Sequence, residues 1–149
     1  MGQDSLPLTR QSQQALSQEF SRKPLIILRA RKQSDFKASA LGAGQAGETA
    51  TEQVAIEYGA AAMQLGIEPK TGRILSLAYT GRGSDSSYGQ VMQSFSDFRA
   101  VDGLTLPFKV TASFNGQSLP RQSFTVESIV INSKLDPALF AKPAAGKAQ

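Results

Sequence analysis

The apolar positions of this chain fall into two regimes, with the change near Asp35. Before it, Leu8, Ala15, Leu16 and Phe20 recur at near-helical spacing and predict a short amphipathic helix from Thr9 to Phe20. Ser21-Arg22-Lys23-Pro24 breaks it, and the run Leu25-Ile26-Ile27-Leu28 follows. Pro24 in a first helical turn favours a second short helix. The adjacent Ile pair favours a buried strand. The helix is favoured, with both short segments packed on the sheet that follows.

From Asp35 onward the period becomes two. Phe36 to Leu41 predicts a strand that leads into a loose connection over Gly42–Glu48. Val54, Ile56 and Tyr58 share one face of the next strand, and Met63, Leu65 and Ile67 one face of the strand after it. Glu68-Pro69-Lys70-Thr71-Gly72-Arg73 has early Pro and late Gly, the chemistry of a turn. Leu75, Leu77 and Tyr79 alternate next, before a Gly/Ser loop over Thr80–Tyr88. Further strands are predicted over 89–99, 105–114 and 122–132, with Phe108, Val110, Ala112 and Phe114 alternating in the second. In the third, Phe124 and Val126 are out of phase with Ile129 and Ile131, the mark of a bulge. Asp102-Gly103 and Asn115-Gly116 are hairpin pairs. Asp136-Pro137 caps a short turn from which Leu139 and Phe140 would dock on the core. About seven short strands with turns roughly every ten residues predict an antiparallel sheet, curved or barrel-like, in up-and-down order.

Composition removes several kinds of chemistry. The 149 residues suffice for one domain with a real core, and they include neither Cys nor His. Serine–histidine and cysteine–histidine catalysis, disulfides and zinc–thiolate sites are therefore excluded for this chain by itself. A Ser–Lys pair or a carboxylate pair stays open. The net charge is +4, but residues 10–37 alone carry seven cations against Glu19 and Asp35, a net +5. Such a segment suits a nucleic acid, an anionic membrane or simply a solvated face. The last is favoured, since no aromatic residues interleave the charges, and no nucleic-acid partner is expected. No apolar run approaches the roughly 20 residues of a membrane span. Met1-Gly2-Gln3-Asp4 does not begin a signal peptide, so the chain is read as cytosolic or as a fragment or mature form without its leader.

Few residues are candidates for a site. Gly81-Arg82-Gly83-Ser84 lacks the lysine and following helix of a phosphate loop. Asp97 and Asp102 are a weak carboxylate pair, with Asp102 explained by its turn. No acidic spacing fits calcium or another metal. No catalytic, metal or cofactor residue is assigned. What remains is an apolar face built by Met63, Leu65, Ile67, Leu75, Leu77, Tyr79, Phe95, Phe108, Val110, Phe114 and Phe124. An antiparallel sheet needs such a face as its core. Seven curved strands, however, need more cover than two short helices give, which leaves a groove suited to an acyl chain.

The order of the turns carries a resemblance. Ile67-Glu68-Pro69-Lys70-Thr71-Gly72-Arg73 is followed by Ser76-Leu77-Ala78-Tyr79, then by Phe95-Ser96-Asp97-Phe98-Arg99, Val101-Asp102-Gly103 and Leu106-Pro107-Phe108. Val130-Ile131-Asn132, Lys134-Leu135-Asp136 and Leu139-Phe140-Ala141-Lys142-Pro143 close the series. Over residues 50–143 the chain resembles the bacterial lipoprotein carrier-like (LolA/LolB-like) half-barrel domains. The closing elements are most similar to those that stand alone or follow insulinase-type zinc peptidase domains. Residues 20–50 fit less closely. The resemblance implies an α+β fold: an open half-barrel meander with one or two N-terminal helices on its concave face. The chain pattern predicts one domain over 9–143, with a helical segment over 9–31, sheet over 35–132, a turn over 136–140, and tails at 1–8 and 144–149. The resemblance further implies a non-enzymatic, periplasmic module that binds a lipid or lipoprotein acyl chain, without cofactor. The alternative is an accessory domain of a larger peptidase or envelope polypeptide. The two His and one Glu of the peptidases' zinc motif have no counterpart here.

Overall fold

The computed structural model describes residues 8–82 and 87–141. Two helices precede one antiparallel sheet: α1 (Arg10–Ser21) and α2 (Pro24–Ala30), then β1 (Lys37–Ala46), β2 (Thr49–Tyr58), β3 (Ala61–Ile67), β4 (Ile74–Arg82), β5 (Tyr88–Val101) and β6 (Leu104–Phe114). The short β7 (Gln117–Ser118) and β8 (Phe124–Thr125) both pair with β6. Neighbours in the sheet are neighbours in the chain from β1 to β7. The sheet is open and not closed into a barrel, which is the α+β meander expected.

Local chemistry sets each element. Thr9 caps α1 by accepting a hydrogen bond from Ser12 N–H at 3.1 Å. Pro24 opens α2, where its missing N–H removes no helical hydrogen bond, so the ambiguous apolar run is a helix. Asp102 (φ 46°) and Gly103 (φ 80°) are both left-handed, as the tightest hairpin requires, and the β5–β6 turn falls where the sequence placed it. The core joins Ile27 and Ala30 of α2 to Ile56, Tyr58, Met63, Leu65, Ile74, Leu77, Phe95 and Val110 of the sheet. Leu77 is fully buried at its centre.

Four expectations need correction. The loose connection over 42–48 is mostly strand, because β1 runs to Ala46 and shifts register between Ala40 and Gly42. As an exposed edge strand of Ala, Gly and Ser it has no apolar alternation to reveal it. The loop at Thr80–Tyr88 is shorter than expected, since Gly81 pairs with Gly89 and Arg82 with Tyr88. Gly83 and Ser84 of the supposed phosphate loop lie outside the described residues, as do most of both tails and the closing Lys142-Pro143. The strand over 122–132 reduces to Phe124–Thr125, so the sheet ends there and not at 132. Beyond it Val126 N–H donates to Phe108 C=O at 2.7 Å, and the chain runs on without ladder partners. Finally, Asp136 does cap the turn Pro137–Phe140, but Leu139 and Phe140 are 71% and 75% exposed and dock on nothing in the core.

Candidate binding groove and adjoining polar chamber

Two irregularities in the strands decide which side chains reach the helix-covered face. Between β3 and β4 the register shifts at Gly66/Ile67, so Leu65 pairs with Leu77 while Ile67 pairs with Ile74. Ile74 and Leu77, three residues apart, thus both enter the core, and Leu75 is left outside that cluster. In β5 a left-handed Asp97 (φ 52°) separates Phe95 from Phe98, and both rings meet the core. Simple alternation would have sent them to opposite faces. Arg99 holds the Asp97 carboxylate from the side at 2.5 and 3.0 Å. That hydrogen bond holds the Asp97 carboxyl below the usual aspartate range.

These shifts leave an apolar groove of about 440 Å³ along the β5–β6 end of the sheet. Pro24, Leu25 and Leu28 of α2 form one wall. Gly72, Arg73 and Ile74 form its end, with the Arg73 guanidinium 5.2 Å from the Phe98 ring centre. Phe95, Phe98, Leu106, Pro107 and Val110 make the floor, and Phe124 and Ile129 the far rim. The volume falls within the roughly 300–1,000 Å³ typical of small-molecule sites. Leu25, Leu28 and Phe124 are each about half exposed (49%, 50% and 53%), so the groove has apolar surface left to cover.

The expected lining residues divide. Phe95, Val110 and Phe124 line the groove. Leu65 and Leu77 are buried in the core, and Ile67 packs half-buried against it. Leu75 does not line the groove; the register shift gives its place to Ile74. Phe108 is buried outside the main core cluster, with the Arg99 guanidinium 4.5 Å from its ring centre, and it too lies off the groove. Phe114 fills the space over Gly89, where an added Cβ would meet its ring tip at 2.6 Å. Leu25, Leu28, Ile74, Phe98, Leu106, Pro107 and Ile129 were missed. Leu25 and Leu28 had a signal, since their i, i+3 spacing sets them on one side of a helix.

Tyr79 belongs to a second space. Beneath α1 lies a polar chamber of about 720 Å³. Gln11, Gln14, Gln18 and Glu19 of α1 line it, opposite Tyr79, Thr80 and Arg82 of β4, with Arg121 and Gln122 at the side. The Arg22 guanidinium stacks 3.9 Å from the Tyr79 ring centre, and its buried Nε has no hydrogen-bond partner among the described residues. Burial holds the Tyr79 hydroxyl above the usual tyrosine pKa, as it does for Tyr58. Tyr58 donates to Ser21 C=O and Gln18 donates to Ala60 C=O at 3.3 Å, so α1 is tied down by polar contacts. Its apolar residues Leu16 and Phe20 face outward, 52% and 62% exposed.

Lys23, Gln93 and Phe124 line both the chamber and the groove, so the two spaces meet there. Among the described residues no group of His, Cys, Asp and Glu could hold a metal ion, and no helix is long and apolar enough to cross a membrane. Comparison with known proteins finds no matching family model, no significantly similar curated protein and no significantly similar solved structure.

Proposed function

We propose that this chain is a non-enzymatic, extracytoplasmic binding module that holds an acyl chain in the groove between α2 and strands β5–β6. The observation that carries the proposal is the groove itself: about 440 Å³, walled by Leu25, Leu28, Phe95, Phe98, Val110 and Phe124, with half-exposed apolar side chains at its mouth. Burial of each methylene stabilises the complex by about 0.8 kcal/mol before association costs. A saturated chain offers that gain repeatedly and asks for no polar partner. Native mass spectrometry of protein purified from cells is the direct test, with uptake of a fluorescent fatty acid as its complement. Co-purified lipid, or saturable uptake, is expected. A bare-chain mass together with no uptake rejects the proposal.

A second reading, an accessory domain of a larger envelope polypeptide, is favoured by the exposed Leu135, Leu139 and Phe140. It predicts that an antibody against this chain detects a species far larger than the chain itself in extracts of the native cell. A species of the chain's own size excludes it.

A further inference from the structure

Groove and chamber adjoin, yet their chemistry is opposite. The groove is walled mainly by Leu, Phe, Pro and Val, whereas four cations, Arg22, Lys23, Arg82 and Arg121, line the chamber with Glu19 as its single carboxylate among the described residues. These cations come from the end of α1, the α1–α2 link, the end of β4 and the short turn Pro120–Gln122. Arg22 and Lys23 are neighbours in the chain, but chain proximity does not explain why Arg82 and Arg121 join them. Arg22 is held at the chamber by its stack on the Tyr79 ring, 3.9 Å from the ring centre. Lys23, Gln93 and Phe124 bound both spaces, so one elongated molecule can occupy the two at once.

We infer that the ligand is an anionic amphiphile, its tail in the groove and its phosphate or carboxylate head in the chamber under α1. The inference rests on the acyl-chain reading and adds the charge of the head group. Guanidinium groups suit it, because they present forked donors that match phosphate and carboxylate oxygens. The glutamines of α1 complete the setting as neutral donors to the remaining oxygens. Arg82 and Arg121 are exposed, and each adds a factor of about three to binding, as exposed ion pairs do.

Calorimetric titration of the full chain with dodecyl phosphate, dodecylphosphocholine and inorganic phosphate tests this. All three share the phosphate, but only the first combines a tail with a net negative head. Dodecyl phosphate is expected to bind about tenfold tighter than dodecylphosphocholine. The variant Arg82→Gln/Arg121→Gln, which leaves the stacked Arg22 and Lys23 in place, should cut that preference by about threefold or more. Equal affinities, or a preference undiminished in the variant, overturn the head-group assignment while leaving the acyl reading intact. Inorganic phosphate binding as tightly as dodecyl phosphate overturns it as well, since the tail would then contribute nothing. Failure of both alkyl probes takes down the acyl reading and this inference together.

Discussion

Phe124→Ala is the sharpest probe of the groove, because Phe124 borders both spaces and yet supports little of the fold. Its ring is 53% exposed in the free protein, and β8 has only two residues. A Phe side chain can bury about 150–250 Å², so roughly 100 Å² of this one remains for a ligand to cover. At about 25 cal/mol per Å² that area is worth up to about 2.5 kcal/mol. Some of it returns through the Ala methyl and neighbouring walls, leaving a loss of about 1–2 kcal/mol, or five- to thirtyfold in Kd. Association entropy is common to both proteins and cancels in the ratio. The folding free energy should fall by less than about 1 kcal/mol, as the ring is not a core residue. Displacement of a fluorescent fatty acid gives the first quantity and urea unfolding the second. An unchanged Kd with clear wild-type binding would refute the reasoning and move the acyl chain elsewhere. A large loss of stability would show instead that Phe124 is structural.

Other expectations concern stability and pH. Leu77→Ala empties the centre of the core and should cost about 2–5 kcal/mol in urea unfolding; a loss below about 1 kcal/mol would mean the α2–sheet core is not formed. The Asp97–Arg99 pair keeps the Asp97 carboxyl below its ordinary value near 3.9, so its contribution is complete above that pH. It is lost as the pH falls through the lower folded-state value, and Asp97→Asn should flatten that part of an acid-unfolding profile. Tyr58 and Tyr79 have raised values, which reverses the sign. Their contribution is complete below about pH 10 and is lost as the pH rises through the folded-state values. Tyrosinate absorbance followed in Tyr58→Phe and Tyr79→Phe should lose its late-titrating component, and wild-type protein titrating entirely at the ordinary value would contradict the burial.

Much of the sheet was legible because its signals are local. Asp102-Gly103 and Asn115-Gly116 fix their turns by backbone preference alone, and strict alternation marks β2, β3 and β6. The groove was less legible because its floor depends on departures from alternation. Nothing in Arg73-Ile74-Leu75 announces that a register shift will choose Ile74 over Leu75. Nothing in Ser96-Asp97-Phe98 announces the positive φ that brings Phe98 beside Phe95. The strand predicted over 122–132 failed for another reason: apolar residues such as Ile129 can close a groove from an irregular segment. The cationic chamber was invisible because Arg22, Arg82 and Arg121 are far apart in the chain. The uneven charge of residues 10–37 hinted at it, but two of the four chamber cations lie outside that segment.

The coincidence of chain order with strand order, β1 through β7, has a kinetic consequence. Each hairpin closes over a short loop, so little entropy is lost before its pairing begins to stabilise it. The groove is different, since Leu25 and Leu28 of α2 line it together with Leu106 and Val110 of β6, far along the chain. The meander therefore leaves the groove to a long-range loop closure. Release of α2 alone removes one wall while the sheet that forms the floor stays paired. Hydrogen exchange should find the amides of α2 opening more readily than those of β4 and β5.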